Sequence, residues 1–161
     1  MKRVSTTFLK IVLILMALGM LAALLWFPQV EGRNVNHDQF TIYFRDPFLA
    51  YIYLGSIPYF IAIVQSFKLL QYIEQNKAFS AVSVRALRNI KYCGLAIVGF
   101  IAGAEIYIIL VSSKNSDDPA GAIAMGICIA AASFVISVGA AVFQKLLQHA
   151  VDLKSENDLA V

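Results

Sequence analysis

A chain of 161 residues that is 60% hydrophobic and only 14% charged falls well short of the roughly 25% charged composition of soluble domains, which excludes an ordinary soluble globule. The net charge of +3 is too small for a nucleic-acid surface, and its basic residues sit beside long apolar runs, where positive charge reports membrane topology. The two cysteines, Cys93 and Cys128, lie in apolar segments with no partner at metal-site spacing and read as buried free thiols.

The first run, Ile11 to Val30, follows Lys2, Arg3 and Lys10. A signal-peptide core is typically about 7–15 residues and ends at a small-residue cleavage site. This run instead continues through Trp26 and Phe27 into Pro28, so it reads as an uncleaved transmembrane helix over about 9–28 with its aromatic end at the far interface. The polar connector 31–46 contains QFTIYF, whose alternation suits a short strand or an interfacial turn.

Asp46-Pro47 suits a helix start, with the Asp as N-cap and the Pro in the first turn. The second span, about 47–69, holds Gly55 and Pro58, and a kink is expected at Pro58 because proline lacks the amide donor and crowds the preceding turn. Gln65, near the inner end of this span, is a polar intramembrane candidate.

The stretch 71–92, QYIEQNKAFSAVSVRALRNIKY, carries Lys77, Arg85, Arg88 and Lys91 against Glu74. Phe79-Ser80 followed by Val84 predicts a helix start, with Ser80 as N-cap and Phe79 packing on Val84. Val84, Leu87 and Ile90 recur at helical spacing while the basic residues turn to other faces. That helix should run into the third span, about 92–113, where GFIAG places Gly99 and Gly103 four apart as a packing seam.

Glu105 is the only acidic or basic residue within the apolar runs 11–30, 47–67, 92–113 and 119–144. A carboxylate in hydrocarbon costs several kcal/mol unless it is protonated, paired or hydrated, so Glu105 is the leading ligand or proton candidate. Hydrogen bonding to Tyr51, Tyr53 or Tyr107 is its structural alternative. KNSDD, 114–118, is a turn, and 119–144 is the fourth apolar run, itself without charge, with Ala122 and Gly126 at close-packing spacing. Beyond it Phe143, Leu146, Leu147, Ala150 and Leu153 continue a helical apolar stripe, which predicts an amphipathic extension over 143–156.

Lys and Arg number ten over the N-terminus, 68–91 and the tail, against Arg33, Arg45 and Lys114 in the other two connectors. The excess puts both termini and the central loop in the cytoplasm. His37 and His149 then lie on opposite sides, so no metal site forms between them, and no cofactor motif is present. One lone carboxyl does not make a catalytic constellation, so no enzyme is expected.

NKAFSAVSVRALRNIKYCGLAI together with the ending LLQHAVDLKSENDLAV resembles the bacterial membrane family known as domain of unknown function 2975 (DUF2975). The resemblance implies four spans over nearly the whole chain and no catalytic residue. It also implies a neighbouring helix-turn-helix regulator as a cytoplasmic partner.

The expectation is therefore all-α: one integral domain over 1–161, a four-helix transmembrane bundle with cytoplasmic helical extensions, in a bacterial cytoplasmic membrane. Its role would be regulatory, with Arg85, Arg88, Lys91, Leu146 and Leu147 forming a docking platform. The platform's other use is pairing in a homo-oligomer, and the rival function is a small oligomeric transport subunit lined by Glu105 and Gln65.

Overall fold

The computed structural model describes residues 2–30, 47–115 and 119–159. It is all-helical there: α1 spans Lys2–Val30, α2 Pro47–Glu74, α3 Ala81–Asn115 and α4 Ala120–Leu159. Each contains a stretch long and apolar enough to cross a membrane. The strand or turn expected in 31–46 and the Asp46 cap lie outside the described residues, as do Arg33, His37 and Arg45.

The helices outrun the spans read from hydropathy. α1 begins at Lys2 rather than near residue 9, α3 reaches Asn115 in place of a turn opening at Lys114, and α4 is one helix of 40 residues. Hydropathy detects where a helix is apolar, whereas backbone hydrogen bonding continues until a capping or breaking signal stops it. At 1.5 Å per residue α4 is about 60 Å long against a hydrocarbon core of about 30 Å, so its C-terminal part projects into water.

Each helix packs chiefly on its neighbour in sequence, α1 on α2, α2 on α3 and α3 on α4, with the α3·α4 seam the most extensive and α1·α2 the least. The result is a row of antiparallel helices. α1 is held to α2 by polar pins: the Tyr53 hydroxyl donates to the Leu24 carbonyl at 3.1 Å, Tyr59 donates to the Met16 carbonyl at 3.1 Å, and Lys10 pairs with Glu74 at 2.6 Å. Lys10 also sits 5.5 Å from the Phe67 ring centroid. α2 runs through Pro58 without a break. The buried Ser56 hydroxyl donates to the Tyr53 carbonyl at 2.7 Å, just before the proline, a local back-bond of the kind that accompanies helix bending.

The connection between α2 and α3 is built from short-range chemistry. Asn76 adopts φ 55°, the left-handed conformation that asparagine tolerates better than most residues. Lys77 N–H donates to the Tyr72 carbonyl at 2.8 Å and Asn76 N–H to the Ile73 carbonyl at 3.2 Å, the paired bonds of a Schellman ending. Ser80 then opens α3, with Val84 N–H donating to its carbonyl at 3.2 Å. The Ser80 hydroxyl lies 3.5 Å from Ser83 N, too long for a strong cap, and instead donates to the Lys77 carbonyl at 2.7 Å. Phe79 stays 63% exposed while Val84 is buried, so the expected packing does not cover that ring.

Candidate functional site

The α3·α4 seam begins with what small residues permit. Gly94 is buried, and a Cβ added there would collide with the Ser137 hydroxyl and come within 3.0 Å of the Ser133 carbonyl. Ser137 is itself 2% exposed and donates to the Ser133 carbonyl at 3.0 Å, so the hydroxyl is satisfied within α4 and the backbones approach closely. One side chain larger than hydrogen at Gly94 would separate them.

Eleven residues along α3 from Gly94 is Glu105, and eleven residues back along α4 from Ser137 is Gly126, against which the Glu105 carboxyl is packed. The matching intervals define an antiparallel register in which Glu105 and Gly126 occupy the end of the seam far from the α2–α3 connection. Glu105 Oε1 is buried and has no hydrogen-bond partner. The tyrosines expected to share its bonding are engaged elsewhere: Tyr51 donates to the Phe100 carbonyl at 2.9 Å, Tyr53 to Leu24, and Tyr107 stacks on Phe48 at 5.3 Å between centroids. The reason is directional, since Glu105 faces α4 whereas these rings belong to the α2 side.

That α2 side has its own contacts. The Tyr51 hydroxyl rests against Gly103, and Gly55 lies 3.3 Å, measured from an added Cβ, from the Phe100 ring. A groove of about 370 Å³ opens between Phe48, Tyr51, Gly103, Ala104 and Tyr107. Gly103 thus packs on α2, but Gly99 does not share that seam: it is exposed, and a Cβ there would meet nothing within 4 Å. Ala122 is likewise exposed, unlike Gly126. Four-residue spacing advances a straight helix by more than a full turn, and here it carries each pair partly off the contact face.

At the other end of the seam, Ser83, Val84, Ala86 and Ile90 are buried, while Arg85 and Arg88 are exposed and make no ion pair among the described residues. Lys91 lies 4.5 Å from the Tyr92 ring centroid. By the register above, Leu147 is level with Val84 and is partly covered, whereas Leu146 is 60% exposed. The two leucines expected on one platform therefore face different ways. Gln65, remote from Glu105, lines a shallow groove of about 390 Å³ on α2 with Ile57, Phe60, Ile61 and Val64. Cys93 is partly covered and Cys128 exposed, so the expectation of two buried thiols fails at Cys128, which occupies an outward face of α4 where an apolar thiol meets lipid.

No group of three or more His, Cys, Asp or Glu residues that could hold a metal occurs among the described residues. Residues 33–161 match the family described as "Protein of unknown function (DUF2975)". The chain belongs to the DUF2975 family. It is 44% identical over the full length of both chains to a Bacillus subtilis (strain 168) protein described as "Uncharacterized membrane protein YoaS". No solved structure matches the chain. Four apolar helices and a membrane relative of equal extent make it a DUF2975 membrane protein.

Of the site residues, Glu105 was visible in the sequence because charge is rare in hydrocarbon. Its counterpart Gly126 was visible only as one member of a small-residue pair, and no local signal couples it to Glu105, 21 residues earlier in the chain.

Proposed function

We propose that the chain is a non-enzymatic regulatory or sensing protein of a bacterial cytoplasmic membrane, with both termini and the α2–α3 connection in the cytoplasm, which docks a cytoplasmic DNA-binding regulator. The observation that carries this reading is the Glu105 Oε1 atom, buried against Gly126 without a hydrogen-bond partner among the described residues. Such a group leaves an acceptor free to take a hydrogen bond from an arriving polar ligand. It lies on the same two helices whose far ends carry exposed Arg85 and Arg88 beside the projecting α4 tail. A change at one end of a closely packed seam is transmitted by rigid helices to the other.

Two features favour regulation over catalysis or transport. Glu105 has no second acid, base or nucleophile bonded to it among the described residues, and acid–base chemistry ordinarily requires positioned partners. Gln65 lies on α2 and Glu105 at the α3·α4 seam, so they do not line one continuous polar face.

The test is crosslinking and pull-down from native membranes with three chains: the natural sequence, Glu105→Gln, and the triple change Arg85→Gln, Arg88→Gln, Lys91→Gln. The proposal expects a helix-turn-helix DNA-binding protein on the natural chain, lost with the triple variant and altered in yield with Glu105→Gln. Recovery of the chain alone from all three would overturn it.

A further inference from the structure

α4 carries a second seam that none of the described helices covers. The inner seam, through Gly126, Ser133, Ser137 and Ala140, faces α3. One residue before each of Ser133, Ser137 and Ala140, about 100° around the helix, runs an outward stripe whose large members are Met125, Ile129, Ile136, Phe143, Leu146 and Leu153. They are 67%, 49%, 59%, 64%, 60% and 66% exposed. Ala122, Ala132, Gly139 and Ala150 fill the remaining places, so from 122 to 153 the steps of three and four residues alternate strictly. A Cβ at Gly139 would meet nothing within 4 Å, which leaves room there for another backbone.

Inside the hydrocarbon an apolar outward face needs no cover, because lipid serves as well as protein. The alternation does not stop at the membrane, however. It continues through Phe143, Leu146, Ala150 and Leu153 while Lys145, Gln148, His149, Asp152 and Lys154 occupy the intervening positions, and that part of α4 projects into water. An apolar stripe of this kind in water calls for a partner.

We infer that the partner is α4 of a second copy, packed in parallel about a two-fold axis along the membrane normal. A repeat averaging 3.5 residues stays in contact over more than thirty residues only with a helix of the same repeat wound around it. A second copy brings that helix, and the shared bilayer holds it at the same height, so like positions meet. A soluble partner matches only the aqueous third of the stripe. Ala132 and Gly139 allow close approach within the membrane, and Leu146 and Leu153 bury each other outside it. The next position of the repeat is Asn157, where a self-pairing polar residue favours the parallel, in-register arrangement. The exposed surface of the stripe is on the order of 700 Å² per copy, close to the roughly 800 Å² per partner of a standard interface.

This inference stands apart from the docking of a DNA-binding regulator. It assigns Leu146 to the copy-to-copy contact and leaves Arg85 and Arg88, on α3, to any other partner.

The test uses purified full-length chain in lipid vesicles, where no other protein is present, with Cys93→Ala and Cys128→Ala as background. Single substitutions Lys145→Cys, Leu146→Cys, Gln148→Cys and Leu153→Cys are oxidised and the disulfide-linked dimer is measured. Positions 146 and 153 face their equivalents across the axis, so they should link about tenfold faster than 145 and 148, whose Cα atoms lie beyond disulfide reach. Gly139→Leu combined with Leu146→Cys should remove the fast phase while leaving helical circular dichroism unchanged. Equal rates at all four positions, or no linkage at 146 and 153, would overturn the inference. Protection of Leu146→Cys seen only in native membranes would do the same, and would indicate a different protein as the occupant.

Discussion

At Asn76 one side chain decides how two long helices are joined. The residue sits at φ 55°, where L-residues pay for the close approach of Cβ to the following carbonyl by roughly 1–2 kcal/mol and β-branched residues fare worst. Asn76→Gly should therefore keep the thermal midpoint in detergent within a degree or so of the natural chain, whereas Asn76→Ile should lower stability by roughly 1–2 kcal/mol. A neutral Asn76→Ile would mean that the turn relaxes to another conformation. Glu105 is decisive in the opposite sense. It is a residue that the surrounding packing tolerates rather than needs, since Oε1 gains no hydrogen bond from its burial, and groups kept in spite of their local energy are where function is first sought.

At the scale of elements, α3 and α4 hold each other by what they lack. The Ser133 carbonyl near Gly94 belongs to the backbone and cannot swing aside as a flexible side chain can. Gly94→Ala should thus destabilise the seam by about 1–3 kcal/mol, the usual cost of overpacking. Gly99→Ala should be silent, because a Cβ there meets nothing. Unfolding midpoints of the two variants in the same micelle check this pair, and equal losses would contradict the register described above. The contrast also explains what could be read in advance. The four helices were legible because charge-free runs of about 20 residues have few other uses, and the helix start at Ser80 was legible from capping chemistry. Which glycine packs was not legible. Within a bilayer the lipid-facing and helix-facing sides are equally apolar, so periodicity does not separate Gly94 and Gly103 from Gly99 as it would in a soluble helix. Leu146 and Leu147 divide for a related reason: both lie on apolar stripes, and only the neighbour at Val84 decides which stripe is inward.

For the whole molecule, the row of helices places the most extensive contact between α3 and α4 and, of the three contacts between sequence neighbours, the slightest between α1 and α2. The tightly joined pair carries Glu105 near one end and exposed Arg85 and Arg88 near the other, with the α4 tail projecting beside them. The proposed function requires the state of Glu105 to set the arrangement of the end that bears Arg85, Arg88 and the α4 tail. The most direct measurement is the distance between spin labels at Arg88→Cys and Lys154→Cys, on a Cys93→Ala, Cys128→Ala background diluted with unlabelled chain in lipid vesicles, compared with and without Glu105→Gln. The account predicts a displaced distance distribution, by about 1–2 Å or more, the scale of helix shifts in packed bundles. Superimposable distributions in the two chains would contradict it.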